Sequence, residues 1–545
     1  MKKTVTLLLA AMLISSTVLS SCGDTPAESS AESSAEASAA ESAGENTEET
    51  ESDGPVNLSI WTGLHALEAK VVKDKSENEA VQKFLEGYDK EVNIEWIHPP
   101  VGMEQENFNL MVTSGDLPDI IINDFSSYKG GAVKAMDDGI LLDVTDLVEE
   151  YAPNFQKYFY SDPDTKRAVF SDDGRLLSFG IHTPTMDLET GEPSNLCYTG
   201  LMVRSDLMQN AGYTVDTLIT VDNWEKMLTS FKEQGVVPLM WAASDWDIIK
   251  PWFLGAYGVG TDFYLDGDTV KFGPIEDGYR QWLETFARWY QNGLIDPNFT
   301  TYKYFDNVQT DMMAGKGGAT GYHIYDYKIY HDAVAADDPS KALIPVRYPV
   351  LNEGDIFHFQ DAARNFCESP MMITTACENP VEAVKFIDYQ YTVDASIIAN
   401  WGIEGKSYEI DDTGAYHFTD EFNSDESYRW MYTTDTFRGL VDVGVQYESY
   451  LIKEQTDAWA LWDNGDQDAI CKLPPNGLVK TSEESLEYSQ LMGDINTYVS
   501  EMTFGFIMGD IPLSDWDSYV QTIKDMNIDR AIAITQATYD RYLAR

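Results

Sequence analysis

Apolar and polar positions alternate through Val56-Asn57-Leu58-Ser59-Ile60-Trp61, which predicts a half-buried strand ended by Thr62-Gly63. From Glu79 to Tyr88 the spacing changes. Val81, Phe84, Leu85 and Tyr88 fall on one face of a helix. Val92 to Trp96 alternates again and stops before Pro99-Pro100. Glu104 to Thr113 reads as a second helix with Phe108, Met111 and Val112 on one face, and Gly115 suits its C-cap. Pro118 precedes a third strand, Ile120-Ile121-Ile122, with Asn123 and Asp124 at its end. This β-α-β-α-β order predicts a doubly wound α/β lobe. Ligands bind beyond the carboxyl ends of strands in such sheets, and Trp61 and Asp124 fall at those ends.

A different pattern opens the chain. Lys2 and Lys3 precede a largely apolar run from Val5 to Val18, too short for a membrane span and suited to a signal-peptide core. Leu19-Ser20-Ser21-Cys22-Gly23 follows and resembles a bacterial lipobox, so 1–22 is expected to be a lipoprotein signal peptide with Cys22 as the lipidated residue. An ordinary signal peptide that happens to contain a Cys is the alternative. Residues 23–54 are mostly Ser, Ala and Glu, with no Lys, Arg or aromatic residue. Such a segment cannot bury enough apolar surface to offset its ordering entropy, so an acidic, disordered tether is expected. Two acyl chains on Cys22 would anchor the protein stably at the extracellular face of the membrane.

Composition narrows the partners. A net charge of -54 leaves no basic patch for phosphates, so nucleic acid is excluded, and docking on an anionic membrane is disfavoured. The body beyond residue 54 is too long for one simple core, which predicts two lobes. Cys197, Cys367, Cys377 and Cys471 form no CxxC pair, so a zinc site is not expected. A Cys367–Cys377 disulfide and buried free thiols both remain open. The 13 Trp and 31 Tyr are many for this length; some must be core, and an excess would suit a ligand with flat apolar faces, such as sugar rings.

Several segments, in order, carry a resemblance. Ser114-Gly115-Asp116-Leu117-Pro118-Asp119-Ile120 leads into the strand ending at Asp124. Gly139 to Leu147, the hairpin Asp173-Gly174-Arg175 to Gly180, and Val203-Arg204-Ser205-Asp206-Leu207 through Trp224-Glu225 follow, with Asn223 in place of a usual Thr. Asn292-Gly293-Leu294-Ile295-Asp296-Pro297, Met313 to Ala319, and Trp401-Gly402-Ile403-Glu404-Gly405 complete the set. Together they resemble the extracellular solute-binding proteins of family 1, the receptor subunits of ABC importers for carbohydrates. The resemblance implies a two-lobed periplasmic-binding-protein-like fold of type II, closing about a hinge. Lobe one is expected at 56–180 and 344–400, and lobe two at 181–343 and 401–545. It also implies an oligosaccharide ligand, a membrane permease as partner, a monomer, no cofactor and no catalysis.

Candidate ligand contacts follow from position. Trp61 and Asp124 end strands, with core packing the alternative for Trp61. Trp241, Trp246, Trp252 and Tyr257 cluster in an aromatic-rich stretch of lobe two that could supply stacking platforms, at least one of them being core. His323 and Tyr325 follow a predicted strand. Arg364 could bind hydroxyls or a carboxylate in bidentate fashion, or serve in a surface ion pair. Trp401 and Glu404 lie where the family segment would meet the cleft. Trp282, Phe286, Trp289 and Tyr290 have helical spacing and read as core. Asp266-Gly267 and Thr413-Gly414 read as hairpin turns. Asp463-Asn464-Gly465-Asp466 lacks full EF-hand spacing for calcium. A glycosidase with paired carboxylates and a surface glycan adhesin are the competing functions; no GxSxG, HExxH or P-loop motif supports an enzyme.

Overall fold

The computed structural model describes residues 54–545, apart from 126–127, 162, 187–192, 195–198, 244–250, 337, 359–366, 443, 446–447, 449–451, 463–473 and 476. Gly54–Arg545 form one compact unit built, among the described residues, on two large sheets with two separate two-stranded hairpins.

The first sheet runs, in spatial order, Leu440–Asp442, Phe179–Met186, Cys367–Ile373, Ile120–Ile122, Val56–Thr62 and Val92–Ile97. Val56–Thr62 pairs in parallel with Val92–Ile97 and with Ile120–Ile122, opposing Thr62 to Ile122. The helices Glu79–Gly87 and Glu104–Ser114 lie between these strands in sequence, as the periodicity predicts. Val56, Leu58 and Ile60 join Phe84 in the main core of this lobe. Trp61 turns to the opposite face, where it packs with Phe108 and Phe125.

Two motif residues have local explanations. Asp119 ends the Leu-Pro-Asp turn, and its Oδ2 accepts from both the N–H and the Oγ–H of Ser59 at 2.7 Å. The polar position in the first strand thereby ties the third strand to it. Gly115 is left-handed at φ 74° and caps the preceding helix by donating to the Met111 carbonyl.

The second sheet has the order Leu343–Pro345, Thr199–Arg204, Gly317–His323, Val237–Leu239. Its core gathers Trp224, Trp241, Trp252, Trp282, Phe286 and Trp289. The helices Ser482–Met508, Trp516–Asp525 and Ile528–Leu543 cover this core, contributing Ile495, Phe506, Trp516 and Tyr542. Asn223 completes a capping box: its N–H donates to Thr220 Oγ1, and its side-chain oxygen accepts from the Thr220 N–H. An amide does here what a Glu usually does in such a box.

The chain passes between the two sheets three times. Phe179–Met186 belongs to the first and Thr199–Arg204 to the second. Leu343–Pro345 returns the path towards Cys367–Ile373, and Leu440–Asp442 precedes the helix Lys453–Trp462, whose Trp462 joins the second core. These switch points differ from the expected lobe limits. Residues 343–350, assigned by sequence largely to lobe one, belong to the second sheet and core through Ile344 opposite Val203, and through Val346, Tyr348 and Val350. Residues 401–442, assigned to lobe two, return to the first sheet, where Leu440 lies opposite His182 and Phe437 enters the core. A short apolar strand buried on both faces does not reveal by pattern which sheet it joins.

The hairpin turns form where Asp266-Gly267 and Thr413-Gly414 predict them, with Gly267 and Gly414 at positive φ. Cys377 is a buried free thiol, so the bridge to Cys367 is not made; burial pushes its pKa up to about 12. Among the described residues no helix is long and apolar enough to cross a membrane, and no cluster of His, Cys, Asp and Glu could hold a metal ion. The stretch 463–466, weighed for calcium, lies outside the described residues.

Candidate binding cleft

The crossing strands determine which sheet edges face each other. Cys367–Ile373 arrives from the second lobe, and its Met371 stands opposite Ile122 and Phe179. The carboxyl ends of Val56–Thr62 and Ile120–Ile122 therefore point towards lobe two. Thr199–Arg204 arrives from the first lobe and opposes Thr199 to His323. The carboxyl end of Gly317–His323 therefore points towards lobe one. Strand ends of both lobes meet in one cleft, where α/β sheets bind ligands.

A cavity of about 430 Å³ opens past the end of Ile120–Ile122, within the range of small-ligand pockets. Lobe one supplies Asp124, Ser178 and Met372, and the segment packed on the core of lobe two supplies Lys480, Ser485 and Tyr488. The sequence builds the second wall locally. Thr481 and Glu484 form a reciprocal capping box that starts the helix Ser482–Met508. Arg541 grips the same Glu484 carboxylate with two N–H groups at 3.0 and 2.6 Å. That places Ser485 and Tyr488 one turn apart along the wall. Lys480 Nζ sits 4.1 Å from the centre of the Tyr488 ring, and burial lowers its pKa. On the facing wall Gly130 and Gly131 are both at positive φ. A Cβ on Gly130 would stand 3.0 Å from Ser482 Oγ and closer still to Lys134, so the close approach of the two walls needs glycine there. A smaller cavity of about 140 Å³ adjoins the end of Val56–Thr62 and is lined by His65, Arg429 and Trp430 among others.

The predicted contacts separate into groups. Asp124 is exposed and lines the larger cavity. His323 and Tyr325, at and just past the end of Gly317–His323, line neither cavity and stack on each other at 4.8 Å and 12°. Burial lowers the His323 pKa to about 4, so the ring is neutral at pH 7. Glu404 is exposed and pairs with Tyr408 in an isolated bridge, away from either cavity lining. Four aromatics prove to be packing residues. Trp61 is buried against Phe108 because alternation turns it to the face that helix Glu104–Ser114 covers. Trp241 stacks on Phe286 at 5.1 Å and 11°. Trp252 lies beneath Gly321, where a Cβ would stand 2.2 Å from its ring. Trp401 is buried among Tyr408, Tyr416 and Phe418, and its Nε1–H donates to Asp442. Tyr257 is half-buried; its hydroxyl donates to Thr285 at 2.9 Å, and burial raises its pKa to about 12. Trp246 and Arg364 lie outside the described residues.

The cavity residues that sequence reasoning missed are Lys480, Tyr488, Arg429 and Trp430. Tyr488 carried one usable signal, the Thr-x-x-Glu start of a helix just upstream. Arg429 and Trp430 carried none, because nothing in their local pattern brings residues 426–436 to the end of a strand at 56–62.

Comparison with known proteins agrees with this geometry. The fructooligosaccharide ABC transporter substrate-binding protein FusA of Streptococcus pneumoniae serotype 4 (strain ATCC BAA-334 / TIGR4) is 23% identical over 497 residues, covering 87% of this chain and 88% of that protein. Lipoprotein LipO of Bacillus subtilis (strain 168) is 24% identical over 477 residues, covering 81% and 85%. The solved structure of S. pneumoniae FusA with kestose superposes with a TM-score of 0.69 at 21% identity, covering 90% of this chain and 99% of that one. The HMO-binding, ABC-transporter-associated solute-binding protein of Bifidobacterium longum infantis ATCC 15697 does so with 0.71 at 16% identity and the same coverage. These solved structures share the two-lobed fold. The model of the bacterial extracellular solute-binding protein family matches residues 69–396, more than half of the sequence, and the chain belongs to that family.

Proposed function

We propose that this protein is the oligosaccharide receptor of an ABC importer, held at the extracellular face of the membrane through Cys22. The observation that carries the reading is the cavity at the strand ends. It is walled by both lobes, with a Tyr ring, serine hydroxyls, a carboxylate and an ammonium converging on it. Sugar rings offer apolar C–H faces to an aromatic ring and hydroxyls to such polar groups. A ligand touching both walls binds the closed state better than the open one and so drives closure. Members of the family are binding proteins, and the reading is capture without turnover. The naming of FusA for fructooligosaccharides supports a saccharide ligand and an ABC permease as partner. A lipoprotein among the relatives supports the anchor. Lobe one would take 56–186 with 367–442, and lobe two 199–350 with 453–545, acting as a monomer.

Isothermal titration of the purified protein against fructo-, gluco-, galacto- and manno-oligosaccharides tests this. Saturable binding with unchanged saccharide afterwards is expected. Absence of binding across the panel, or release of shortened products, would overturn it.

A further inference from the structure

We propose that the smaller cavity, at the end of Val56–Thr62, is a subsite for a single carboxylate-bearing sugar ring, held through Arg429 and the indole N–H of Trp430. The inference rests on the oligosaccharide reading and adds the charge of one ring.

It follows from an inventory of donors and acceptors. Both acidic groups of the lining are already engaged. Glu68 is buried and accepts from Lys75 Nζ on both oxygens, at 2.7 and 2.8 Å, and from the His65 N–H. Asp435 pairs with Arg438 at 3.0 Å. Burial pushes the Asp435 carboxyl up, but the charges of Arg438, Arg429 and Lys75 outweigh it and hold that group below its ordinary range.

The donors keep N–H groups to spare. The Arg429 side chain is exposed in the lining and makes no hydrogen bond or ion pair within 4 Å among the described residues. The Nε1–H of Trp430 is buried and meets no acceptor. Lys75 has a third N–H beyond the two that Glu68 takes. His65 accepts the Leu67 N–H on Nδ1, which leaves its Nε2 as the donor of the neutral ring. That ring lies flat on Trp430 at 4.5 Å and 9°, fixing the indole. Unmet N–H groups around a ring-sized space call for a ligand rich in acceptors. A planar carboxylate matches the Arg fork in bidentate fashion, which a neutral hydroxyl cannot do.

The test is isothermal titration with an aldobiuronic acid, its methyl ester and acetate, on the wild type and on Arg429→Gln and Trp430→Phe. The acid is expected to bind about tenfold or more tightly than the ester. Arg429→Gln should abolish that difference. Trp430→Phe keeps the stacked ring and should shrink the difference. Equal affinity for acid and ester, or a preference that survives Arg429→Gln, overturns the subsite. Acetate binding as tightly as the disaccharide overturns its assignment to sugar. A protein that binds neutral oligosaccharides without preferring the acid loses this subsite and keeps the wider function; one that binds no saccharide loses both.

Discussion

Arg541 reaches from the last helix of lobe two to Asp172 in lobe one, with Nε 2.6 Å from Oδ2. The same guanidinium holds Glu484 at the cleft wall, and Arg545 meets the other oxygen of Asp172 at 2.8 Å. One carboxylate thus joins the lobes beside the cavity.

Asp172→Ala should loosen that junction. Both arginines lose a partner that is three-quarters shielded from solvent. A loss of about 1–2 kcal/mol in chemical unfolding is expected, more than for an exposed pair because the site is a network. An unchanged denaturation midpoint would show that the contact does not contribute.

Trp401→Phe separates packing from recognition. The substitution keeps most of the ring but leaves buried Asp442 without its indole donor. Stability should fall by about 1–3 kcal/mol, and saccharide affinity should stay within about twofold. A large affinity loss with intact stability would instead place Trp401 in recognition.

Two groups three residues apart should give pH dependences of opposite sign. Burial raises Asp326 to about 6, although Tyr304 and Gln309 donate to it. A carboxyl raised in the folded state is favoured protonated, so its contribution is present below the unfolded value of about 4 and is lost as pH rises through about 6. Burial lowers His323 to about 4, so its contribution is present above the unfolded value of about 6.5 and is lost as pH falls towards 4. Each is worth at most about 3 kcal/mol, and in the wild type the two largely cancel. Urea unfolding between pH 4 and 7 should show stability rising more steeply with pH in Asp326→Asn, and falling with pH in His323→Gln. Parallel curves for all three proteins would refute the assignment.

Cys22→Ala should release the protein from the membrane. Palmitate labelling and detergent partitioning should both be lost, while the soluble form binds saccharide as before. Loss of binding in that form would contradict a tether separate from the receptor.

The parallel core of lobe one was legible because strands and helices there differ in period, and Gly115 and Pro118 mark their limits. Sheet membership after residue 343 was not. Leu440–Asp442 and Leu343–Pro345 are three-residue strands whose partners lie far away in sequence. The aromatic excess misled in a specific way. Trp241, Trp252 and Trp401 sit in runs rich in turn residues, yet each is turned inward by a neighbour: Phe286, Gly321 and Asp442 respectively. A sequence window carries no record of such neighbours. The position of Asp124 at the cavity could be read because it depends only on where its own strand ends.

Leu440–Asp442 closes one edge of the first sheet, far along the chain from the strands at its centre. A polypeptide that leaves the cell amino end first must hold Phe179–Met186 without this edge partner until residues 199–439 have emerged. Folding outside the membrane is thereby slowed by long-range pairing, and the exposed edge is a place where a chaperone or a second nascent chain can add a strand.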